Sequence, residues 1–234
     1  EKLELGLKLK LFKGVDGLCY VNVVGVGDVV LIGNALDSSK SLLETFSEFV
    51  GCAFESGFQM DPVAAVTFEN CTIGGVALTA ANVSTLVTSN LGNVETINGA
   101  ELVADGLVLK GDVYTVHSGN GFEYAATNVL NDGTKNVTIE LANDIDLAGI
   151  EWPAVATKAA FVLDGKGYAI KNLTTSAVED HGFYSTAMFT STRKATTIKN
   201  LVVENATVTG NGLGNSHGAV CGGWKPADIV ASDL

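Results

Sequence analysis

A four-residue phrase recurs along the chain with asparagine at its third position. Residues 170–173 and 198–201 both read Ile-Lys-Asn-Leu, and looser copies, Phe-Glu-Asn-Cys and Val-Glu-Asn-Ala, occupy 68–71 and 203–206. One strand–turn unit cannot bury its own apolar face, so its reuse predicts units that stack and cover one another. Asparagine suits a sharp corner, because it tolerates left-handed backbone and its amide can bond to an asparagine stacked above or below.

The composition favours short strands and tight turns over helices. The 234 residues include 27 glycines and only 3 prolines, and 47% of them are apolar, which is ample for a packed core. Lys and Arg number 14 against 26 Asp and Glu, so the formal net charge is -12. Because this charge repels phosphate backbones and anionic lipid surfaces, we expect no nucleic-acid partner.

Few residues suit phosphate or metal chemistry. Arg193 is the only arginine, so a guanidinium clamp for phosphate or carboxylate groups has little material. We interpret the cysteines as small buried side chains, with two disulfides as the alternative. Their spacing lacks any C-x-x-C pair, which argues against zinc and thioredoxin-like sites. The four are Cys19, Cys52, Cys71 and Cys221.

No part of the sequence is predicted to insert into a membrane. A bilayer span needs about 20 consecutive apolar residues, and the stretch from Leu18 to Ile32 is interrupted by Asn22 and Asp28. The chain begins without a charged and then apolar leader, although a leader removed in maturation would leave the same beginning. We therefore expect no membrane insertion in this segment.

Periodicity predicts strands at the start of the chain and short helices after them. Apolar and polar residues alternate over Leu3–Leu11, and strands are expected through the first 36 residues. The spacing becomes helical over 41–50, where a capping box opens the pattern and a glycine follows it. A further helical turn is predicted over 79–87.

The clearest helical pattern opens what we predict to be a second module. The apolar residues of 121–131 fall on one face, and Asn-Asp-Gly ends the segment. Because a strand restarts at Val113, we place the module boundary between residues 110 and 111. A helix at the start of a stack would cover the strand edges that an open stack must protect.

A series of motifs in this second module resembles a known family. After the helix come Asp-Ile-Asp-Leu at 144–147, Trp152-Pro153, Asp-Gly-Lys-Gly at 164–167, the phrase at 170–173 and Gly-Ala-Val-Cys-Gly at 218–222. Together these resemble the pectate-lyase-like, GLUG-type surface proteins of gut Bacteroidetes. The resemblance covers about residues 113–222, and residues 66–87 are similar to the final coils of such a module.

The resemblance implies an all-β fold, a right-handed parallel β-helix (solenoid) with short capping helices. Residues 1–110 would be the end of a first β-helix module, with short helices near 41–50 and 79–87. Residues 111–234 would be a second module opened by a capping helix near 121–131. The family's shared motifs are structural, so the resemblance transfers no catalytic, cofactor-binding or metal-binding residue, and we expect no cofactor.

Three carboxylates in predicted turns are the strongest candidates for chemistry. Asp144 and Asp146 stand two apart on a predicted strand and would point to one side, which suits calcium. Pectate lyases of the implied fold hold calcium between acidic side chains. However, both residues and Asp164 occur in turn sequences, where Asp accepts backbone hydrogen bonds and Gly165 and Gly167 supply positive φ. We interpret them as turn residues, with a calcium site and catalysis as alternatives.

Other candidate motifs have simpler explanations. The segment Val23–Val30 has two glycines of a dinucleotide-binding loop, but Val30 replaces the third and the predicted helix begins ten residues later. The histidines form no H-x-x-x-H pair and are interpreted as surface or turn residues. They are His117, His181 and His217. A triad drawn from Ser216-His217 and Glu179-Asp180-His181 lacks any G-x-S-x-G sequence.

Two further groups of residues suggest contact with sugars. The N-x-S/T triplets are explained by corner stacking at three of their five positions, with glycosylation as the alternative. They begin at Asn70, Asn82, Asn136, Asn172 and Asn205. Trp152 and Tyr168 would stack on sugar rings if exposed, whereas a Trp beside a helix-covered end belongs to the core. We place Trp152 in the core.

We predict a non-catalytic extracellular β-helix protein, adhesin-like or a scaffold, that binds a glycan or a protein partner along its flank. A stiff stack of coils presents a regular ladder of side chains, which suits repeated weak contacts. The first alternative is a phage virion fibre or capsid-decoration protein. The second is a polysaccharide lyase or hydrolase of the same fold. The expected location is extracellular or the cell surface, or the virion for the first alternative.

Overall fold

The computed structural model divides the chain into two compact units, Glu1–Asp105 and Gly106–Leu234. It describes only part of the first unit and most of the second. The described residues are 2–4, 8–13, 19–24, 29–30, 48–51, 53–54, 56–57, 65–87, 91–153, 155–176, 178–180, 183–210, 216–222 and 229–232. The described part is mostly strand with a few short helices, as the prediction of an all-β fold requires.

The first unit is built from short strands. In chain order they are β1 (Lys2–Glu4), β2 (Lys8–Lys13), β3 (Cys19–Val24), β4 (Val29–Val30), β5 (Glu48–Val50), β6 (Ala53–Phe54), β7 (Val66–Glu69), β8 (Thr72–Ile73), β9 (Val76–Ala77), β10 (Val94–Ile97) and β11 (Ala100–Ala104). Strands β1, β5, β7 and β10 pair in parallel in that order, and β11 turns back antiparallel to β10. Strands β2, β3 and β4 are antiparallel neighbours. The strands predicted for the first 36 residues are therefore confirmed where the structure describes them.

Aromatic packing explains why part of a predicted helix is a strand. Residues 48–50 of the helix predicted over 41–50 form β5, so the prediction is wrong there, and 41–47 lie outside the described residues. Phe49 aligns with Phe68 on β7, and their rings stack with centroids 5.6 Å apart. Phe54 meets both rings edge-on. Burial of three rings and pairing on both sides of β5 outweigh the local helical spacing.

The helical turn predicted over 79–87 is confirmed in shortened form. Helix α1 spans Val83–Leu86, and both of these residues are buried. Asn82 precedes it and uses its side chain on both sides of the turn, accepting from Thr79 N–H at 2.8 Å and donating to Ala77 O at 2.8 Å. The side chain thus supplies hydrogen-bond partners to two backbone groups of the turn.

The second unit opens with a hairpin and the predicted helix. Strands β12 (Leu107–Lys110) and β13 (Val113–Val116) pair antiparallel. Helix α2 follows over Gly119–Tyr124 and continues as a π-helical turn over Ala125–Val129, so the predicted helix is confirmed. The Ser118 hydroxyl accepts from Gly121 N–H at 3.1 Å and caps the helix. The predicted module boundary falls inside the hairpin, and the division into two β-helix modules stays a prediction.

The remaining strands of the second unit are short and numerous. They are β14 (Asn136–Leu141), β15 (Ile145–Asp146), β16 (Val155–Thr157), β17 (Ala160–Asp164), β18 (Ala169–Lys171), β19 (Thr174–Ser176), β20 (Val178–Asp180), β21 (Phe183–Thr186), β22 (Phe189–Thr192), β23 (Thr196–Lys199), β24 (Val202–Glu204), β25 (Thr207–Thr209), β26 (Ser216–His217) and β27 (Ile229–Ser232).

These strands form parallel rows that the chain visits repeatedly. The first row is β13, β14, β17, β23 and β27. The second is β15, β18 and β24, the third β16 and β22, and the fourth β19 and β25. Three times the chain passes from the first row to another and returns to the first. Outside these rows, β20 and β21 are antiparallel and β26 is parallel to β21.

The inner faces of the rows and the helix make the core of the second unit. Ile139, Leu163 and Ile198 stand in register on the first row and are all buried. Trp152 is also buried, stacks on Phe122 of α2 with centroids 5.0 Å apart, and donates its indole N–H to Met188 O at 2.8 Å. Its only polar atom is thereby satisfied, which permits full burial. The prediction that Trp152 belongs to the core is confirmed.

Candidate functional site

The repeated asparagines occupy corners with left-handed backbone. Asn70, Asn172, Asn200 and Asn205 have φ between 51° and 58°, and each directly follows a strand, β7, β18, β23 and β24 respectively. Asparagine is among the few residues besides glycine that adopt this conformation at low cost. The corner interpretation of the repeated phrase is confirmed, and the N-x-S/T triplets at three of these positions have a structural explanation.

The two identical phrases do not stack on each other. Asn172 follows β18, whose register places Lys171 against Glu204, so its neighbour is Asn205. Its backbone N–H accordingly donates to Glu204 O at 3.0 Å. Asn200 follows β23 in a different row, where Lys199 stands against Asp164 and Gly165 N–H donates to Lys199 O at 2.9 Å. Stacking of the two identical phrases, which their repetition predicts, would align Asn172 with Asn200, and that prediction is wrong.

The predicted bond between asparagine corners occurs in the first unit, where Asn70 N–H donates to Asn98 Oδ1 at 2.8 Å. In the second unit the amides of Asn172 and Asn200 bond to aspartates instead. Asn172 Nδ2 donates to Asp146 Oδ1 at 2.8 Å, and Asn200 Nδ2 donates to Asp164 Oδ1 at 3.0 Å. The same oxygen of Asp146 accepts from Ala148 N–H, and that of Asp164 accepts from Lys166 N–H. Each aspartate thus joins its own turn to the asparagine of the adjoining strand. We call these two Asp–Asn pairs the corner ladder.

Hydrogen bonding keeps the corner carboxylates ionised. Asn172 and Ala148 N–H lower the pKa of Asp146 below its ordinary value. Burial of Asp164 acts to raise its pKa, but the bonds from Asn200 and Lys166 N–H, with the Lys199 ammonium 3.3 Å away, outweigh it and the net direction is downward. These groups accept hydrogen bonds best as anions, so the ladder favours their charged form.

Lysines bridge the outer side of the same corners. Lys171 Nζ lies 2.7 Å from Asp144 Oδ2 and 3.6 Å from Glu204 Oε2, spanning the second row. The contact with Lys171 lowers the pKa of Asp144, and the contact with Asp144 raises that of Lys171. Ala169 N–H donates to the other oxygen of Asp144 at 3.0 Å. On the first row, Lys166 Nζ contacts Glu140 Oε1 at 3.0 Å.

The carboxylates proposed for calcium or catalysis therefore have structural partners. Asp144, Asp146 and Asp164 each accept from a backbone N–H and from an Asn or Lys side chain. Within the described ranges, no group of three or more His, Cys, Asp or Glu is arranged to hold a metal ion. One detail of the turn prediction changes: Lys166 and Gly167 have positive φ there, whereas Gly165 does not.

The other candidates from the sequence lie apart from the ladder. Burial lowers the pKa of His117, and His217 is exposed on β26 beside Thr186. His181 lies outside the described residues, and the side chains of Glu179 and Asp180 are likewise not described. The loop suggested within Val23–Val30 includes residues 25–28, which are also outside the described part, and the flanking β3 and β4 form a hairpin.

The two cysteines whose side chains are described are thiols in protected positions. Cys71 is buried and its Sγ donates to Phe49 O at 3.3 Å. Cys221 is half-buried and forms no disulfide, and burial raises its pKa to about 11. Cys71 fits the prediction of small buried side chains, whereas Cys221 is only half-buried. The side chains of Cys19 and Cys52 lie outside the described part.

A groove crosses the outer face of the first row. It encloses about 450 Å³, and its lining combines outward side chains of β14, β17 and β23, the hairpin turn before β13, and two buried residues, Val137 and Phe161. The residues that line it are Asp112, Asn136, Val137, Thr138, Ala160, Phe161, Val162, Ala195 and Thr197. Thr138, Val162 and Thr197 stand in register across its floor. The lining mixes hydroxyl, amide and carboxylate side chains with alanine, valine and phenylalanine, so this outer groove is mixed in polarity.

Four cations gather where the strands of the groove begin. Lys135 directly precedes β14, Lys158 lies two residues before β17, and Arg193 and Lys194 precede β23. Lys194 Nζ donates to Gly133 O, Arg193 N–H donates to Thr157 O at 3.3 Å, and the Gly133 backbone packs beside Lys158. We call this set the basic corner. All four residues are exposed.

Sequence reasoning missed the basic corner. The residues are separated by more than twenty positions between turns, so no charge run marks them in the sequence. The available signal is positional: a cation stands one to three residues before each of three successive first-row strands, β14, β17 and β23. Recognising it requires knowing which strands are neighbours.

Comparison with known proteins gives no relative for this chain. No family model, curated protein or solved structure matches it. Over the described ranges, none of the helices is both long and apolar enough to cross a membrane.

Proposed function

We propose that the chain folds as a right-handed parallel β-helix. Support comes from the order in which strands return to the rows: β14, β17, β23 and β27 enter the first row in sequence order, each parallel to the last. Successive parallel strands in one row need a crossover between them, and such crossovers are right-handed in nearly all proteins. In this proposal the second, third and fourth rows are the other faces of the same coils.

The role that this geometry supports best is that of a non-catalytic, adhesin-like or scaffold protein of the bacterial exterior. The observation that carries it is the corner ladder, in which Asp146 and Asp164 serve as acceptors for stacked asparagines. An acid engaged with fixed donors and held ionised is poorly placed to exchange protons with a substrate. The outer groove, by contrast, is an open, regularly spaced surface along the flank, suited to binding a glycan or a protein partner.

A glycan array with the purified protein tests this role. We expect retention of a restricted set of glycans and no release of unsaturated or reducing products from any polysaccharide that binds. Product release that disappears in Asp144→Asn or Asp164→Asn would instead establish the lyase or hydrolase alternative. Binding to no glycan and to no surface protein of a host or neighbouring microbe would contradict the adhesin-like role.

The second candidate is a virion fibre or capsid-decoration protein made in the cytoplasm. The thiol of Cys221, which forms no disulfide, favours it, because exported proteins tend to oxidise their cysteines. Genes for capsid assembly beside the coding sequence would support this candidate, whereas an export signal in the full gene would favour the surface protein.

A further inference from the structure

We infer that the outer groove and the basic corner together bind a polysaccharide chain bearing carboxylate or sulfate groups. This inference rests on the proposed binding role along the flank and names its ligand class. The groove supplies a channel across β14, β17 and β23, and the basic corner supplies positive charge at one side of it. The two share a border, because Lys135 and Lys194 are the chain neighbours of the lining residues Asn136 and Ala195.

The charge of the basic corner is available to a ligand. Among the described residues, neither Lys158 nor Arg193 has an ion-pair partner, and both are exposed. Lys194 uses one of its three donors on a carbonyl. Lys135 contacts Asp132 at 3.5 Å, and that carboxylate also accepts from Thr134. Even with Asp132 beside Lys135 and Asp112 in the lining of the groove, these four cations present an excess of positive charge.

This local charge is unusual for the chain. The net charge is -12, and the chain's only arginine stands in the basic corner. Elsewhere in the second unit the lysines of the corners are neutralised: Lys166 by Glu140, Lys171 by Asp144 and Lys199 by Asp164. The guanidinium of Arg193 and the ammonium of Lys158 have no ion-pair partner among the described residues, and they match the bidentate and point-charge recognition of carboxylate and sulfate oxygens.

The groove selects sugars over other anionic polymers. Its hydroxyl and amide side chains, Asn136, Thr138 and Thr197, offer hydrogen bonds that saccharide hydroxyls can exchange, while Ala160 and Ala195 leave room for rings. A nucleic acid is disfavoured by the overall charge. An acidic polypeptide would need an unpaired strand edge or deep side-chain pockets, whereas the floor of the groove is the face of strands already paired on both sides.

Titration calorimetry with one dextran in three forms tests the inference: unsubstituted, carboxymethylated and sulfated. We expect the wild type to bind at least one charged form, to ignore the unsubstituted form, and to bind more weakly as salt rises. The arm that binds distinguishes carboxylate from sulfate as the recognised group. Poly-glutamate of matched charge serves as the competing class of anion.

The double variant Lys158→Gln/Arg193→Gln should lower the affinity for the charged dextran about tenfold or more, because two direct ion contacts are lost. The matched control is Lys166→Gln/Lys171→Gln, which changes the net charge equally on corners away from the groove and should stay within about twofold. Asp112→Asn removes the one carboxylate among the lining residues and should raise the affinity about twofold.

Three results would overturn the inference. The charged dextrans could fail to bind, the control could lose as much affinity as the test variant, or poly-glutamate could bind as tightly through the same residues. None of these removes the proposed role, since neutral glycans or a protein partner retained on the array would leave that role standing. Loss of all retention on the array would remove the role itself.

Discussion

Asn172 and Asn200 stand in identical four-residue phrases, yet the structure gives them different surroundings. Asn172 bonds to Asp146 in the second row, where the carboxylate is exposed, and it lies against another asparagine corner. Asn200 bonds to Asp164 in the first row, where the carboxylate side chain is only 10% exposed, and it lies against Gly165. The same local sequence therefore makes the same corner, while the partner depends on the row.

The difference teaches that a sequence repeat and a stacking repeat are separate quantities. The phrase recurs from 172 to 200, an interval of 28 residues, whereas Asn172 aligns with Asn205, an interval of 33 residues. Two corners can share a sequence without stacking on each other, because each needs the same left-handed backbone conformation. Stacking is decided instead by which strands pair, and that depends on the length of the chain between them.

The largest expected difference in stability is between variants of Gly165 and Gly167, the two glycines beside the Asn200 corner. A Cβ on Gly165 would lie 2.3 Å from Asn200 O and 2.7 Å from Leu201 Cα, so Gly165→Ala forces two backbones apart. We expect Gly165→Ala to lower the free energy of unfolding by about 3 kcal/mol, measured by urea denaturation.

Gly167→Ala is the matched control for that change. Gly167 has φ +85° with no atom near its added Cβ, so only the conformational cost of about 1–2 kcal/mol applies. Equal losses for the two variants would show that the close approach of Gly165 to the Asn200 corner is not what requires glycine.

The next largest difference in stability is expected between variants of Asp164 and Asp146. Asp164→Ala removes a buried acceptor of two hydrogen bonds and should lower the free energy of unfolding by about 2 kcal/mol. Asp146→Ala removes an equivalent set from an exposed position and should cost clearly less, because water replaces the lost partner. Thermal unfolding of both variants checks the order, and a larger loss for Asp146→Ala would reverse the comparison of the two rows.

Variants of Asn200 and Asn172 should differ in stability by a smaller amount. Glycine keeps the left-handed corner and removes only the amide, so Asn200→Gly isolates the bond to Asp164 and should cost about 1 kcal/mol. Asn172→Gly should stay within about 0.5 kcal/mol of wild type, since its bond is exposed. If chemical denaturation gives the two variants the same stability, the rows are equivalent in energy despite their different burial.

The smallest effect is a pH dependence. The pKa of Asp164 is lowered in the folded state, so its charge stabilises the fold above the unfolded-state pKa of about 3.9, and this contribution is lost as pH falls through the folded value. The stability gap between wild type and Asp164→Asn should therefore be full near neutral pH and shrink as pH falls below about 4. Urea midpoints measured from pH 7 to pH 3 check it, and a gap that widens on acidification would contradict the sign.

Much of the local structure could be predicted from the sequence. The helix over 121–131, the early strands and the left-handed asparagine corners are encoded by short-range spacing and by backbone preference, so a window of ten residues contains the signal. Trp152 could be placed in the core for a similar reason, since it follows a helix with one apolar face. The fate of residues 48–50 could not be predicted, because Phe49 pairs with Phe68 on a strand that lies farther along the chain.

The groove and the basic corner could not be predicted from the local spacing of residues. The basic corner gathers Lys135, Lys158, Arg193 and Lys194 from the starts of three strands, and the groove beside it exists only when β14, β17 and β23 are side by side. The expectation that asparagine meets asparagine holds for Asn70 and Asn98 but is wrong for the amides of Asn172 and Asn200. Register places an aspartate of the adjoining strand within reach instead.

The sequence by itself determined that this chain is made of short strands joined at asparagine and glycine corners, because those residues set backbone conformation without help from distant contacts. The tertiary structure decided which corner lies against which, and with it the Asp–Asn pairs, the neutralised lysines and the gathering of four cations beside the groove. The physical reason is that register follows from burying the inner faces of the rows together, and that burial is a property of many strands at once.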